Sequence, residues 1–382
     1  MRRPIGIRYF EITANPVYRE WQKEILKIIY NDYNLLKLYG KEYPIINFNA
    51  ERSISRIEEI TTCYDLSERR DMYDIDKTIC HNFREIVGPH IKNGKEMQFM
   101  LNKIKLSPFG TVDWLSAKLG PYEQTVFTSD ILEYELYKYY RKTRGTIVTK
   151  NREEILEELP LRNEIHSDHS QYDIVTTGVG RNGALSIQIF YSFINRQNND
   201  YVSPFSIIPE TYATRQGRVQ MIPEGAFSLH NDKPLDYKKT ITNYNLKRVC
   251  YRKILEDLYG HPIINADNTL MIAPRDNVII DNIANCLDNE NGYFALLGVA
   301  VDLVTLRATL CFYLRIDDEN FPYKDIMVTD EKTQLVTLEE LPNFIANKNI
   351  TNETAAIFAF LLSDEAFTYS LKRSEVNRKI EK

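Results

Sequence analysis

The longest apolar stretch of the chain runs from Gly292 to Ile316, and its pattern changes halfway. From Val304 to Ile316 apolar side chains fall on every second residue: Val304, Leu306, Ala308, Leu310, Phe312, Leu314 and Ile316. Between them stand Thr305, Arg307, Thr309, Tyr313 and Arg315. A period of two predicts a strand with one buried and one wet face. Phe294 to Val301 is apolar on both faces. That pattern predicts a central strand covered on both sides, with a single buried helix as the alternative. A turn near Asp302 would make the two halves a hairpin.

The N-terminal part reads differently. Residues 6–12 predict a short strand. Asn15-Pro16 then opens a helix, with Asn as the cap and Pro at the first helical position. Trp21, Ile25, Ile28, Ile29, Leu35, Leu36 and Tyr39 follow at helical spacing until Gly40. Residues 50–86 and 94–105 also predict helices, the second stopped by Ser107-Pro108. Ser129 or Asp130 caps a Tyr-rich helix ending near Gly145, and Asn151 caps another closed by Pro160.

From residue 165 the texture changes. Residues 172–177 and 184–194 read as strands, and Asn182-Gly183 between them is a favoured dipeptide for a tight hairpin turn. Residues 200–236, punctuated by Pro204, Pro209, Pro223 and Pro234, predict irregular structure with short strands. Amphipathic helices are expected over 245–259 and after Ala273-Pro274. Thr337 with Glu340 makes a capping box, and the last forty residues read as helical.

The resulting expectation is an α+β fold in three regions. Residues 1–164 form a mostly helical region, 165–335 a β-rich core region with inserted helices, and 336–382 the C-terminal helices.

Composition narrows the function classes. The chain has 382 residues, of which 43% are hydrophobic and 26% charged, as expected of a globular protein. Net charge is −5, so there is no global attraction to nucleic acid or anionic membranes. The charge is uneven: residues 251–350 carry 8 basic and 16 acidic side chains, residues 1–250 carry 35 and 32. The five cysteines form no CxxC, which argues against a disulfide framework or a cysteine zinc site. The N-terminus lacks the apolar core of a signal peptide, and Asp302 and Arg307 interrupt the best candidate membrane span. The expected location is the cytoplasm, or a virion assembled there.

Candidate chemistry is sparse. Gly178-Val179-Gly180-Arg181-Asn182-Gly183 is a literal GxGxxG, but a dinucleotide site needs a helix after it. Here Leu185, Ile187, Ile189, Tyr191 and Phe193 alternate, which predicts a strand. His166-Ser167-Asp168-His169 is the histidine cluster, and its spacing fits no defined metal site. Asp317-Asp318 and Asp302 sit at opposite ends of the predicted strand, too far apart to share a cation. Tyr134 to Arg144 interleaves aromatics with cations, the pattern that stacks bases and holds phosphates. Its candidate nucleic-acid residues are Tyr137, Lys138, Tyr140, Arg141, Lys142 and Arg144. The competing reading packs the tyrosines into the core while the cations reach solvent. Lys238, Lys239, Lys247, Arg248, Arg252 and Lys253 form a second basic cluster.

No catalytic or family signature is recognised, and no cofactor or metal is called for. The leading expectation is a non-enzymatic structural protein, a virion or phage component such as a capsid, connector or tail protein. It would associate with itself or with other structural proteins. Phe358, Phe360, Leu361, Leu362 and Phe367 spread over more than one face of the final helices, so a neighbouring subunit is expected to cover one face. The alternative is a nucleic-acid-binding or nucleic-acid-processing protein using the basic and aromatic patch over 134–144.

Overall fold

The structure, a computed structural model, describes residues 5–50, 63–65, 77–91, 95–195, 200–208, 217–228, 245–260, 278–319, 321, 333–364 and 367. Helix α1 (Ile5–Thr13) leads to α2 (Pro16–Ile29), whose first turn is capped by the Asn15 side chain accepting from Val17 N at 2.8 Å. Strands β1 (Leu36–Leu38) and β2 (Lys41–Tyr43) form a small hairpin, turned by Tyr39 at φ 48° and Gly40 at φ 75°. Then come β3 (Ile45–Asn49), β4 (Cys63–Asp65), α3 (Lys77–Val87) and a long hairpin of β5 (Met97–Leu106) and β6 (Val112–Pro121). Helices α4 (Tyr122–Thr125) and α5 (Ile131–Thr143) are joined by a π turn. Short helices α6 (Arg152–Glu157), α7 (Pro160–Ser167) and α8 (Gln171–Thr176) follow.

The second half supplies β7 (Ser186–Asn195), β8 (Asp200–Ile207), β9 (Val219–Met221) and β10 (Glu224–Ala226). Helices α9 (Leu246–Tyr259) and α10 (Val278–Asp288) precede β11 (Gly292–Asp302) and β12 (Ala308–Ile316). Strand β13 (Thr333–Thr337), α11 (Leu341–Asn347) and α12 (Asn352–Leu362) end the described chain.

The fold is α+β. Its main sheet runs β13-β8-β7-β12-β11-β3, with β9 on β8 and β10 on β7. Only the β12–β7 pairing among these is parallel. A second sheet orders β4-β6-β5. Strand β12 carries the period-two pattern from Ala308 onward, Val304 and Leu306 falling in the turn before it, and its wet face does not exist. Leu310, Phe312, Leu314 and Ile316 enter one core with α1, α2, α5, α9 and α10. Cys311 and Tyr313 enter a second core with α12. The central strand is covered on both faces, and the intervening polar positions are buried too.

Several expected elements differ. Residues 6–12 are helical, because Tyr9 packs against Phe83, Tyr134 and Tyr137 on neighbouring helices. Helix α2 stops at Ile29, so Leu35, Leu36 and Tyr39 belong to the following loop and hairpin. Residues 97–106 form a strand; five consecutive buried positions there mimic the spacing of a helix. Of the expected helix over 50–86, residues 63–65 are a strand, 77–86 are helical, and 51–62 and 66–76 lie outside the described residues. Residues 171–176 form α8 rather than a strand, since Ser170 Oγ accepts from Asp173 N at 3.1 Å and caps the turn. The expected hairpin around Asn182-Gly183 is therefore absent. That segment instead runs along β5, with Leu101 N donating to Gly183 O at 2.9 Å. Gly178 is needed for this approach, because a Cβ there would stand 2.0 Å from Leu101 O.

Helix α12 is the other correction. Phe358 and Phe360 are both buried, and the helix packs on β1, β3, β7, β9, β11 and β12 of its own chain. Phe358, Phe360, Leu361 and Phe367 are thus covered within the chain, while Leu362 stays 47% exposed.

The turn between β11 and β12, Leu303 to Leu306, is buried between the sheet and the N-terminal helices. A buried loop must find partners for every backbone group. Arg162 donates to Leu303 O at 3.2 Å and to Val304 O, Ser129 Oγ to Thr305 O, and Arg181 Nε to Leu306 O at 3.0 Å. On the donor side, Leu303 N reaches Pro44 O at 2.8 Å. The Asp302 carboxylate accepts from Val304 N and Thr305 N, and its carbonyl from Leu306 N at 2.7 Å. The helical layer is fastened to the sheet at this joint.

Candidate functional site

A cleft of about 630 Å³ opens between α2, the β1–β2 hairpin, the approach to β9 and the segment joining α11 to α12. Helix α2 contributes Arg19, Glu20, Gln22 and Lys23, and the β1–β2 hairpin contributes Lys37, Gly40, Lys41, Glu42 and Tyr43. Arg218 enters from the approach to β9. Asn347, Lys348, Asn349 and Ile350 come from the link between α11 and α12, and Asn352 from the first turn of α12.

Backbone bonds fix this geometry. Val219 N donates to Asn349 O at 2.9 Å and Thr351 N to Val219 O at 3.0 Å, so the link is stitched to β9. Arg19 Nη1 donates to Asn349 Oδ1 at 3.1 Å, tying α2 to that link. Lys41 Nζ donates to Lys348 O at 3.1 Å and closes the hairpin over it. Asn352 Nδ2 donates to Asp302 Oδ1 at 2.9 Å, which connects the cleft floor to the buried joint.

The lining holds six cations against two carboxylates, a net of +4. Glu20 pairs with Lys23, and Glu42 with Lys27 and with Lys37 at 3.7 Å. The hydrogen bond from Lys27 holds the Glu42 carboxyl below its ordinary range. Arg19 is lowered to about 10, first by burial and then by the adjacent positive charge of Arg218, against which Glu133 acts. It stays charged at neutral pH.

The candidate residues from the sequence lie elsewhere. On α5, Tyr137 is buried, and Tyr140 is half-buried with ring centroids 5.1 Å from Tyr18 and 5.1 Å from Trp21. Arg141, Lys142 and Arg144 are exposed and Lys138 is half-buried. Arg141 donates to the Tyr137 hydroxyl at 3.3 Å, and Lys142 pairs with Glu158. The tyrosines face the core and the cations face solvent. In the second basic cluster, Arg252 is buried and donates to Ser228 O at 2.8 Å, while Lys253 pairs with Glu256 at 3.0 Å and Asp257 at 3.2 Å. Lys238 and Lys239 lie outside the described residues.

His166 ends up near the close of α7, its Nδ1 2.9 Å from Arg152 Nη2. Arginine only donates, so Nδ1 accepts and the ring is neutral. Burial first, and then Arg152, Arg162 and Arg181, lower His166 to about 3. Asp302 and Asp317 stand at opposite ends of the β11–β12 hairpin. Asp317 accepts from Arg315. A smaller cavity of about 290 Å³ at that end is lined by Asn282, Asn285, Cys286, Asn289, Asn291, Asp318 and Phe321. Burial pushes the Cys286 thiol up to about 11, so it stays protonated.

No helix among the described residues is long and apolar enough to cross a membrane. In comparisons with known proteins, the chain matches no family model and no curated protein.

Proposed function

We propose that the chain is a binding protein that takes a phosphate-bearing ligand, nucleic acid included, in the cationic cleft between α2, the β1–β2 hairpin and the start of α12. The observation that carries the reading is the convergence of six cations, Arg19, Lys23, Lys37, Lys41, Arg218 and Lys348, from four separate segments on one cleft. Fixed donors around a concave site suit phosphate oxygens, which accept charge-assisted hydrogen bonds.

The test is binding of inorganic pyrophosphate to the parent chain and to Arg218→Ala at low and high salt. Saturable binding that weakens with salt and with the substitution supports the reading. Binding that ignores the substitution overturns it.

A second reading keeps the expected assembly role, self-association or docking onto other structural proteins of a virion or phage. Its supporting observation is Phe109, 91% exposed at the tip of the β5–β6 hairpin, where an apolar ring stands in water. Mass in solution at two concentrations, for the parent and for Phe109→Ser, tests it. A concentration-dependent mass that the substitution abolishes supports assembly, and a monomer at both concentrations removes it.

A further inference from the structure

We infer that the ligand of the cationic cleft is a compact molecule carrying about four negative charges, a polyphosphate chain or two phosphomonoester groups, and not a length of nucleic acid. This rests on the phosphate-binding reading above and goes further by fixing the ligand's charge and size.

The first argument is charge. The lining nets +4 within one cleft. A phosphomonoester carries about −1.5 to −2 at neutral pH, so two of them, or a triphosphate, match that balance. A single orthophosphate leaves about half of it unanswered. The second argument is extent. A strand of nucleic acid needs a basic groove that follows its backbone over several nucleotides. The cleft is bounded, and its volume of about 630 Å³ falls in the range of small-ligand sites. The cations converge on it from four separate segments, so they surround a ligand more than they track one.

The third argument is the cleft floor. Helix α12, 11 residues long, begins at Asn352, which lines the cleft. Glu353 in the first turn offsets the partial positive charge of that helix N-terminus, so the positive charge of the cleft comes from side chains, Arg19, Arg218, Lys41 and Lys348 among them. Arg19 and Arg218 make the inner seat. Lys41 and Lys348 are exposed on the rim and joined to each other through the Lys348 carbonyl, so they are placed to take a second phosphoryl group.

The experiment is calorimetric titration of the full chain with inorganic tripolyphosphate, orthophosphate, a nucleoside triphosphate, a sugar bisphosphate and a short single-stranded oligonucleotide. It is repeated on the double variant Lys41→Ala/Lys348→Ala, whose melting temperature is recorded in parallel. Both lysines are exposed, so folding is expected to survive. Tripolyphosphate should bind one per chain, about a hundred-fold tighter than orthophosphate. The double variant should weaken it about ten-fold or more with melting unchanged. The tighter of the nucleoside triphosphate and the sugar bisphosphate then names the group that carries the phosphates. If the oligonucleotide binds in the cleft, displaces tripolyphosphate and outcompetes it, the compact-ligand inference falls while the phosphate-binding function stands. If the double variant binds as the parent does, the compact-ligand inference falls while the phosphate-binding function stands; if no probe binds, both fall.

Discussion

Arg162 and Arg181 are buried to 0% and 1% exposure, and their guanidinium groups hold the carbonyls of the turn between β11 and β12. Arg19 and Arg218 stand half-buried at the cleft, close enough that one lowers the other's pKa. The same side chain has two uses here, and the neighbours decide which. Arg162 has Glu135 at 3.9 Å with carbonyls on its other donors, so its charge is answered inside the fold. Arg19 also grips backbone, at Thr13 O and Ala14 O, and feels both the positive charge of Arg218 and the opposing charge of Glu133. A buried charge that is compensated stabilises an architecture. Cations gathered from separate segments around an open cleft create a positive potential that attracts an anion.

Substitutions can break the comparison. The largest effect is expected at the buried joint. Arg162→Met removes the cation beside Glu135 and the donors to two backbone carbonyls, and removing one partner of a buried pair costs about 3–5 kcal/mol. Urea denaturation should show that loss, and Arg162→Lys should recover little, since one ammonium cannot span both carbonyls. A loss below about 1 kcal/mol would mean the joint is not what holds the layers.

Asp302→Ala sharpens the comparison, because this carboxylate serves both regions. It accepts from Val304 N and Thr305 N in the joint and from Asn352 at the cleft floor. Unpaired buried donors cost about 1–3 kcal/mol, and cleft affinity should fall with stability. If affinity holds while stability drops, the two regions are independent.

His166 provides a pH test of the joint's surroundings. Its folded pKa, about 3, lies below its ordinary value of 6.5. The unfolded chain therefore binds the extra proton first, and stability falls as pH drops from about 6.5 toward 3. His166→Gln keeps an acceptor for Arg152 and should flatten that decline, read as denaturation midpoints at several pH values. An unchanged slope would place the proton elsewhere.

The smallest effect belongs to α5. Replacing Lys138, Arg141, Lys142 and Arg144 together with Gln should change stability by less than about 1 kcal/mol, because exposed ion pairs contribute little. Binding in the cleft should not change. If that variant loses the binding of phosphate probes, the site lies on α5 after all.

What the sequence allowed and what it hid follow the same division. The β11–β12 hairpin was legible because its pattern is local and long, although Tyr313 and Arg315 read as wet when both are covered. Helices α9 and α10 were legible from three-and-four spacing, and Thr337 and Glu340 do exchange hydrogen bonds as a capping box. Strand β5 was misread because burial on both faces erases periodicity. Helix α8 was misread because Ile174, Val175 and Thr176 favour strands, while the cap at Ser170 decides otherwise. The GxGxxG motif was legible as something other than a nucleotide loop, but not as the segment that places Arg181 beneath a buried turn. The cleft had no linear signal at all. Arg19 and Asn349 are 330 positions apart, and each basic residue that lines it is unremarkable in its own segment.

The most direct test is the melting temperature of the chain with and without inorganic tripolyphosphate, compared with that of Arg218→Ala. A ligand that binds only the folded state raises melting by mass action, by about 2.7 kcal/mol at a hundred times its dissociation constant. The account predicts a clear rise for the parent and little or none for Arg218→Ala, with similar melting of the two chains before ligand is added. No rise in the parent, or an equal rise in both, would contradict it.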